Sequence, residues 1–195
     1  MTELVLASAS LRRRELLAQL GLVFDVVAAD VDESPRDGEP PVAYVRRLSI
    51  EKLQAVTARI GGDGVVVAAD TTVDLGGRIL GKPADAAEAR AMLMSLSGTT
   101  HDVHTGVSVA SAGRIVSDVA TTAVTFVNLT PDVLGWYIAT GEPFDKAGAY
   151  AIQGAGAVLV ERVSGSVSNI IGLPLALLAN LMEELGVSFV SMRRT

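Results

Sequence analysis

Four short stretches of the 195-residue chain combine groups that bind phosphate or move protons. In the first, Ser8-Ala9-Ser10 is followed by Arg12, Arg13 and Arg14. If a helix opens there, its free N–H groups, the serine hydroxyls and the guanidinium forks can converge on phosphate oxygens. Three cations in a first turn oppose the helix dipole, at a cost of roughly a few tenths of a kcal/mol each unless an anion is bound. The competing explanation is a solvated basic face behind an ordinary serine cap. In the second stretch Asp70 precedes Thr71 and Thr72 after the apolar run VVVAA. An acid beyond the carboxyl end of a strand can hold a cation or activate water, because ligands gather there in open α/β sheets. It can equally cap a turn. Gly81-Lys82-Pro83 is the third stretch, a fixed turn able to aim an ammonium at phosphate or to carry a surface lysine. In the fourth, Asp145-Lys146-Ala147-Gly148 and Gln153-Gly154 supply a cation, a two-faced amide and glycines that permit close backbone approach. A plain glycine-rich turn accounts for most of that equally well. His101 and His104 stand three apart on a predicted strand and so face opposite sides, which assigns them structural roles. Lys82 belongs to no P-loop, since no Gly-x-x-x-x-Gly-Lys-Ser/Thr stretch is present.

The elements that must hold these residues follow from periodicity. LVLAS reads as a buried strand, and Ser10 caps a helix from Leu11 to Leu20, with Leu16, Leu17 and Leu20 apolar on one face and Gly21 as its stop. Phe24 to Ala28 predicts a second strand, followed by an acidic loop from Asp30 to Pro41 with no apolar period. Val45, Leu48, Leu53, Val56 and Ile60 recur at helical spacing until Gly61-Gly62, and VVVAA is then a buried strand that ends at Asp70. Asp85 and Glu88 form a capping-box pattern before a helix with Ala89, Met92, Leu93 and Leu96, ending near Gly98. From His101 to Val127 two β-rich runs flank the turn Ser111-Ala112-Gly113, and Thr130-Pro131 starts a helix through about Ile138. Residues 141–156 are too broken by glycine for a long helix and predict a loop with a short strand. A strand from Val158 to Val163, a helix from Leu173 to Leu185 stopped by Gly186, and a short strand from Val187 to Val190 complete the chain. Strands alternating with helices around one hairpin imply a mixed α/β sheet.

Composition bounds what such a fold can do. At 195 residues and 49% hydrophobic the chain can bury a full core, so one domain over residues 1–195 is expected. No uninterrupted apolar run of about 18 residues exists, and the N-terminus lacks the basic start and long apolar middle of a signal peptide. A cytoplasmic protein without membrane insertion is the expectation. The absence of cysteine leaves carboxylates, amines, hydroxyls or an oxygen-bound metal to carry any chemistry. A net charge of -6 argues against nucleic acid as a partner, while a small anionic substrate needs a local basic cluster and a divalent cation.

Together the stretches resemble the Maf family of nucleotide pyrophosphatases, also described as septum-formation-inhibitor proteins. The likeness runs through LASASLRRRELLAQLG, AADTTV, ILGKP, SGTTHDVHTGV, GEPFDKAGAYAIQG and GSVSNIIGLPL, in order over nearly the whole chain. It implies a mixed sheet with flanking helices in an elongated two-lobed fold with a central cleft, similar to inosine triphosphate pyrophosphatases. It also implies hydrolysis of a nucleoside triphosphate to the monophosphate and pyrophosphate. Arg12, Thr71 and Gln153 match the subgroup acting on dTTP and UTP. Pyrophosphatase action on modified or non-standard purine triphosphates, and a nucleotide-binding regulator of cell division, are the alternatives. Together with the sequence, the resemblance implies Mg²⁺ or Mn²⁺ held by Glu33 and Asp70, with Asp70 activating water. Ser8, Arg12, Arg13, Lys52 and Lys82 then serve the phosphates, and Lys146 and Gln153 the phosphates or base. A homodimer is a family-based expectation. Two departures stand out: Leu11 replaces a common proline and Thr99 a longer polar or basic side chain, which puts one phosphate contact in doubt.

Overall fold

The computed structural model describes residues 4–61 and 64–192. Its strands are β1 (Leu4–Leu6), β2 (Asp25–Val26), β3 (Val65–Leu75), β4 (Arg78–Leu80), β5 (Thr100–Ser111), β6 (Arg114–Phe126) and β7 (Val160–Ser164). They hydrogen-bond in the order β2-β1-β3-β5-β6-β7, with β4 on β3. The helices are α1 (Leu11–Gln19), α2 (Pro41–Ile60), α3 (Ala86–Leu96), α4 (Pro131–Ala139), α5 (Val167–Ile171) and α6 (Leu175–Glu184). A mixed α/β sheet with helices is the expected class. Two compact units share the chain: Met1–Asp70 with Thr105–Ala120 and Gly172–Thr195, and Thr71–His104 with Thr121–Ile171.

The first unit is organised by parallel pairing. β1 lies beside β2 and β3, with Leu6 opposite Val67, after which β1 stops. Val5, Ala7, Val66 and Ala68 pack with Leu53 and Val56 of α2 in one core. Helix α2 starts four residues before the expected apolar repeat, because Pro41 takes a first-turn position that needs no N–H. It seats closely on β5, where a Cβ at Gly106 would run into the carbonyl of Val45. Only glycine lets the helix backbone approach that strand.

The second unit has its own core of Val73, Leu80, Leu93, Leu96, Val103, Phe126, Leu134, Tyr137, Tyr150 and Leu159, among others. Asp85 caps α3 by accepting from the Glu88 N–H, and Glu88 reaches back to the N–H of Ala84, so the capping box forms one residue wider than the simple pattern. His101 donates to or accepts from the Tyr150 hydroxyl at 2.8 Å, and its Nδ1 has no partner. Burial pushes its pKa down from 6.5 to about 4. His104 ties three strands, reaching Thr121 at 2.8 Å and Asp74 at 3.1 Å.

Several expectations give way. The strand at Phe24 shrinks to two residues. β3 runs on to Leu75, so Asp70 lies inside a strand; the expected carboxyl end belongs to β1, whose pairing stops at Leu6 while β4 takes over beside Val73–Leu75. Residues 141–156 hold no strand but 3₁₀ turns at Glu142–Asp145, Ala147–Ala149 and Gly154–Leu159, since close-set glycines with positive φ at 141, 148 and 154 break an extended path. Residues 187–190 pair with no strand and end in a 3₁₀ turn at Phe189–Met192. α5 forms where the sequence pattern predicts no element, and Pro174 delays α6 to Leu175. Gly62, expected to help stop α2, lies outside the described residues, and Gly61 caps the helix with φ 49°.

Candidate active site

In the first unit the chain leaves β1 at Leu6 and turns into α1 through Ser8 and Ser10. Ser10 caps the helix, its hydroxyl accepting from the Arg13 N–H at 3.4 Å. The Ser8 hydroxyl accepts from the Ser10 N–H at 3.3 Å and from the Arg13 guanidinium at 3.2 Å. Arg13 also donates from Nε to the Gly172 carbonyl at 2.7 Å. Two partners thus fix the guanidinium, and withdrawal from water lowers its pKa, an effect opposed by Asp70 and Glu33. Arg12 is half-buried, while Leu11 and Arg14 are exposed. Leu11, which stands where the resembled family commonly has proline, therefore faces solvent.

Period-two alternation puts Asp70 on the face of Val66 and Ala68, the face that packs on α2. On α2, Lys52 lies one turn beyond Leu48 on the buried stripe and is 7% exposed. The two elements therefore bring a buried acid and a buried base together: Lys52 Nζ donates to Asp70 Oδ1 at 2.6 Å. The same ammonium reaches Glu33 Oε1 at 2.7 Å. Asp70 is 6% exposed, whereas the Glu33 side chain is half open to solvent. Burial raises the Asp70 pKa, and Lys52 and Arg13 draw it back down. A buried ion pair of this kind is poor evidence for stability, because desolvation offsets much of its attraction. It does hold the two side chains 2.6 Å apart in the interior.

Side chains that the sequence did not single out hold Glu33 there. The Tyr44 hydroxyl donates to the Glu33 carbonyl at 2.9 Å, and Arg47 donates to the Ser34 carbonyl at 3.2 Å while forming a two-pronged pair with Glu39 at 2.6 Å. Burial, with Asp70 and Glu33 adding, pushes the Tyr44 hydroxyl up to about 12. Tyr44 is eight residues before Lys52 on the same buried face, a helical spacing that was available as a signal.

The pair Glu33 and Asp70 offers hard carboxylate oxygens that already share one cation, the Lys52 ammonium. Among the described residues no cluster of three or more acids or histidines forms a closed metal cage. That donor set fits Mg²⁺ or Mn²⁺, since Mg²⁺ is commonly held by one or two carboxylates with substrate phosphates and water completing its shell.

The remaining candidates belong to the second unit. Thr71, next to Asp70 on β3, is half-buried. Lys82 is exposed, and its turn is pinned where the Gly148 N–H donates to the Gly81 carbonyl at 3.0 Å. Lys146 donates to the Glu142 carbonyl at 2.7 Å and also meets Asp145. Gln153 is exposed and precedes the 3₁₀ turn Gly154–Leu159. Ala149, next to Gly148, keeps a left-handed φ of 61°, uncommon for a residue with a Cβ. Thr99 spends its hydroxyl on the Leu96 carbonyl at 2.9 Å. Glu142, which lies in the GEPFDKAGAYAIQG stretch but carries no role in the sequence reading, is the hub of this unit. It accepts from the Tyr137 hydroxyl at 2.9 Å and from the N–H groups of Ala155 at 3.0 Å and Gly156 at 2.9 Å.

Residues 3–185 match the family described as Maf-like protein. The dTTP/UTP pyrophosphatase of Myxococcus xanthus (strain DK1622) is 57% identical over 187 residues, which cover 95% of this chain and 94% of that one. The dTTP/UTP pyrophosphatase of Moorella thermoacetica is 52% identical over 189 residues, covering 96% and 97%. A solved nucleoside-triphosphatase, dITP/XTP pyrophosphatase from Mycobacterium abscessus, aligns over 95% of this chain and 97% of that one with a TM-score of 0.46 and 12% identity. By the family match over residues 3–185 and by these relatives, the chain belongs to the Maf family.

Proposed function

We propose that this protein hydrolyses nucleoside triphosphates, with dTTP and UTP preferred, to the monophosphate and pyrophosphate. The observation that carries the chemistry is the buried Asp70 carboxylate, kept beside Lys52 and within reach of the charges of Arg13 and Glu33. The relatives' shared name supports the substrates.

On this reading Asp70 orients a water and takes its proton as the water oxygen bonds to the α-phosphorus. The bond from that phosphorus to the bridging oxygen breaks, and pyrophosphate leaves. Arg12, Arg13 and Lys52 offset the growing charge, and Ser8 presents its hydroxyl to a phosphate oxygen. Lys82 and Lys146 are assigned to the phosphates, and Thr71 and Gln153 to the base. Mg²⁺ or Mn²⁺ bound by Glu33 and Asp70 would supply positive charge against triphosphate oxygens. The raised tendency of Asp70 to hold a proton suits a group that must accept one.

Residues 1–195 act as one domain on a free nucleotide, with no nucleic acid or membrane partner. Among the described residues no helix is long and apolar enough to cross a membrane. A cytoplasmic setting and a homodimer complete the reading. A panel of triphosphates with Mg²⁺ tests it: multiple turnovers with dTTP and UTP ahead of ATP, GTP and modified purines are expected. Stoichiometric binding without pyrophosphate release would assign the protein to nucleotide-dependent regulation instead.

A further inference from the structure

Gln153 stands on a loop that has little secondary structure to hold it, yet both ends of that loop return to one pair of side chains. The Ala151 N–H donates to the Tyr137 hydroxyl at 3.2 Å. Two and three residues beyond Gln153, the N–H groups of Ala155 and Gly156 donate to the two oxygens of Glu142. The Tyr137 hydroxyl closes the circuit by donating to Glu142 Oε1 at 2.9 Å. Tyr137 is fully buried on α4, a rigid element whose ring packs in the core of its unit.

The glycines around Gln153 fit the same geometry. A Cβ on Gly154 would come within 2.5 Å of Glu142 Oε2, and one on Gly156 would strike the Ala151 carbonyl and the Tyr137 hydroxyl. Gly154 also has φ 72°, open to glycine at little cost. The loop is thus folded tightly onto the carboxylate. A half-buried carboxylate accepting three donors is a strong local anchor, because hydrogen bonds to an ionised acceptor are roughly twice as strong as neutral ones. The Glu142 carbonyl also takes the Lys146 ammonium, so one residue orders both Lys146 and the loop that carries Gln153.

We propose that Tyr137 and Glu142 are positioning residues for nucleobase selection, clamping the Ala151–Gly156 loop so that Gln153 is presented in one conformation. The inference rests on the assignment of Gln153 to the base. Neither residue touches the nucleotide. Tyr137→Phe keeps the ring in the core and removes both the donor to Glu142 and the acceptor of the Ala151 N–H. Glu142→Gln keeps the shape but turns an NH₂ group toward one of the two amides. A free-standing Gln153 samples several orientations, and the preference for a pyrimidine edge is diluted accordingly.

The test pairs selectivity with a direct view of the loop. kcat/KM for dTTP and for GTP is measured in wild type, Tyr137→Phe, Glu142→Gln and Gln153→Ala, together with thermal unfolding. Hydrogen–deuterium exchange is followed for the peptide over residues 151–157 in the same four proteins, and the kinetics are repeated with each clamp variant combined with Gln153→Ala. Both nucleotides need the same Asp70, so general damage lowers both rates and leaves their ratio unchanged. The expected result is a dTTP-to-GTP ratio reduced about three- to tenfold in Tyr137→Phe and Glu142→Gln, faster loop exchange, and little further loss when either is combined with Gln153→Ala. If Gln153→Ala lowers the ratio while both clamp variants keep the wild-type ratio, the clamp is overturned and the role of Gln153 stands. If all three variants keep the ratio, even with faster loop exchange, the clamp fails together with the assignment of Gln153 to the base.

Discussion

The two units use different physics to hold their functional candidates. In the first, regular elements present charges: α2 offers Lys52 and β3 offers Asp70, both almost fully buried and 2.6 Å apart. In the second, Lys146 and Gln153 sit on or beside 3₁₀ turns, and order comes from hydrogen bonds that converge on Glu142 and Tyr137. Charges that must stay close in a low-dielectric site need the stiffness of a helix and a sheet. Recognition of one base over another needs a loop that differs easily between relatives, steadied by a few fixed anchors. The contrast divides the proposed labour into chemistry in one unit and selection in the other.

Removing the acid should have the largest effect. Asp70→Asn keeps the size of the side chain, and turnover should fall ~10²- to 10⁴-fold with the fold retained, as measured by steady-state kinetics and circular dichroism. Near-normal turnover in a folded protein at saturating Mg²⁺ would take Asp70 out of the chemistry and dissolve the proposed division.

Removing its partner tests whether the first unit depends on charge balance. Lys52→Met leaves Asp70 and Glu33 facing each other without the shared ammonium, which should cost about 3–5 kcal/mol of stability in chemical denaturation. Adding Asp70→Asn should restore part of that loss. An unchanged midpoint would mean that the pair is far more solvated than its burial indicates.

The second unit should instead fail first in acid, through a neutral buried group. The His101 pKa is lowered from 6.5 to about 4 by burial, so the unfolded chain takes up a proton before the folded one does. Its stability is therefore intact above pH 6.5 and falls as the pH drops toward 4, by on the order of 3 kcal/mol over the whole window. His101→Gln should flatten that part of the stability profile in urea titrations. A variant with the wild-type slope would place the acid sensitivity elsewhere.

The smallest effect concerns the base. Gln153→Ala should reduce kcat/KM for dTTP and UTP by about 1–3 kcal/mol in transition-state terms while changing ATP and GTP much less. Equal losses on all four would move Gln153 from base to phosphate recognition and blur the contrast between the units.

Much of this arrangement is visible in local sequence where one short-range rule governs. Ser10 caps α1, Asp85 caps α3 and Thr130 caps α4, as the side-chain types suggest, and the hairpin turns at Ala112-Gly113, although the positive φ of Ala112 is not one that its side chain favours. Asp70 was recognisable as an acid at the end of an apolar run, but its place inside β3 depends on β1 stopping at Leu6 and β4 continuing the ladder, which no local pattern in VVVAAD reveals. Lys52 stands out in hindsight as a charge on an apolar stripe, although the family resemblance marked it first. Glu142 was illegible, since its role arises from donors 13 and 14 residues away and from a tyrosine on the preceding helix. The 3₁₀ turns of residues 141–156 escaped for the same reason: glycine spacing indicates irregularity without specifying its form.

In the proposed reaction Asp70 and its charged neighbours direct water to the α-phosphorus of a pyrimidine triphosphate. Incubating the purified protein with dTTP and Mg²⁺, and resolving products by anion-exchange chromatography with a parallel assay for pyrophosphate, tests it most directly. dTMP and pyrophosphate are expected in equal amounts over many turnovers, and neither should form with Asp70→Asn. dTDP with orthophosphate as the first products would contradict that reaction, because the attack would then fall on the terminal phosphorus.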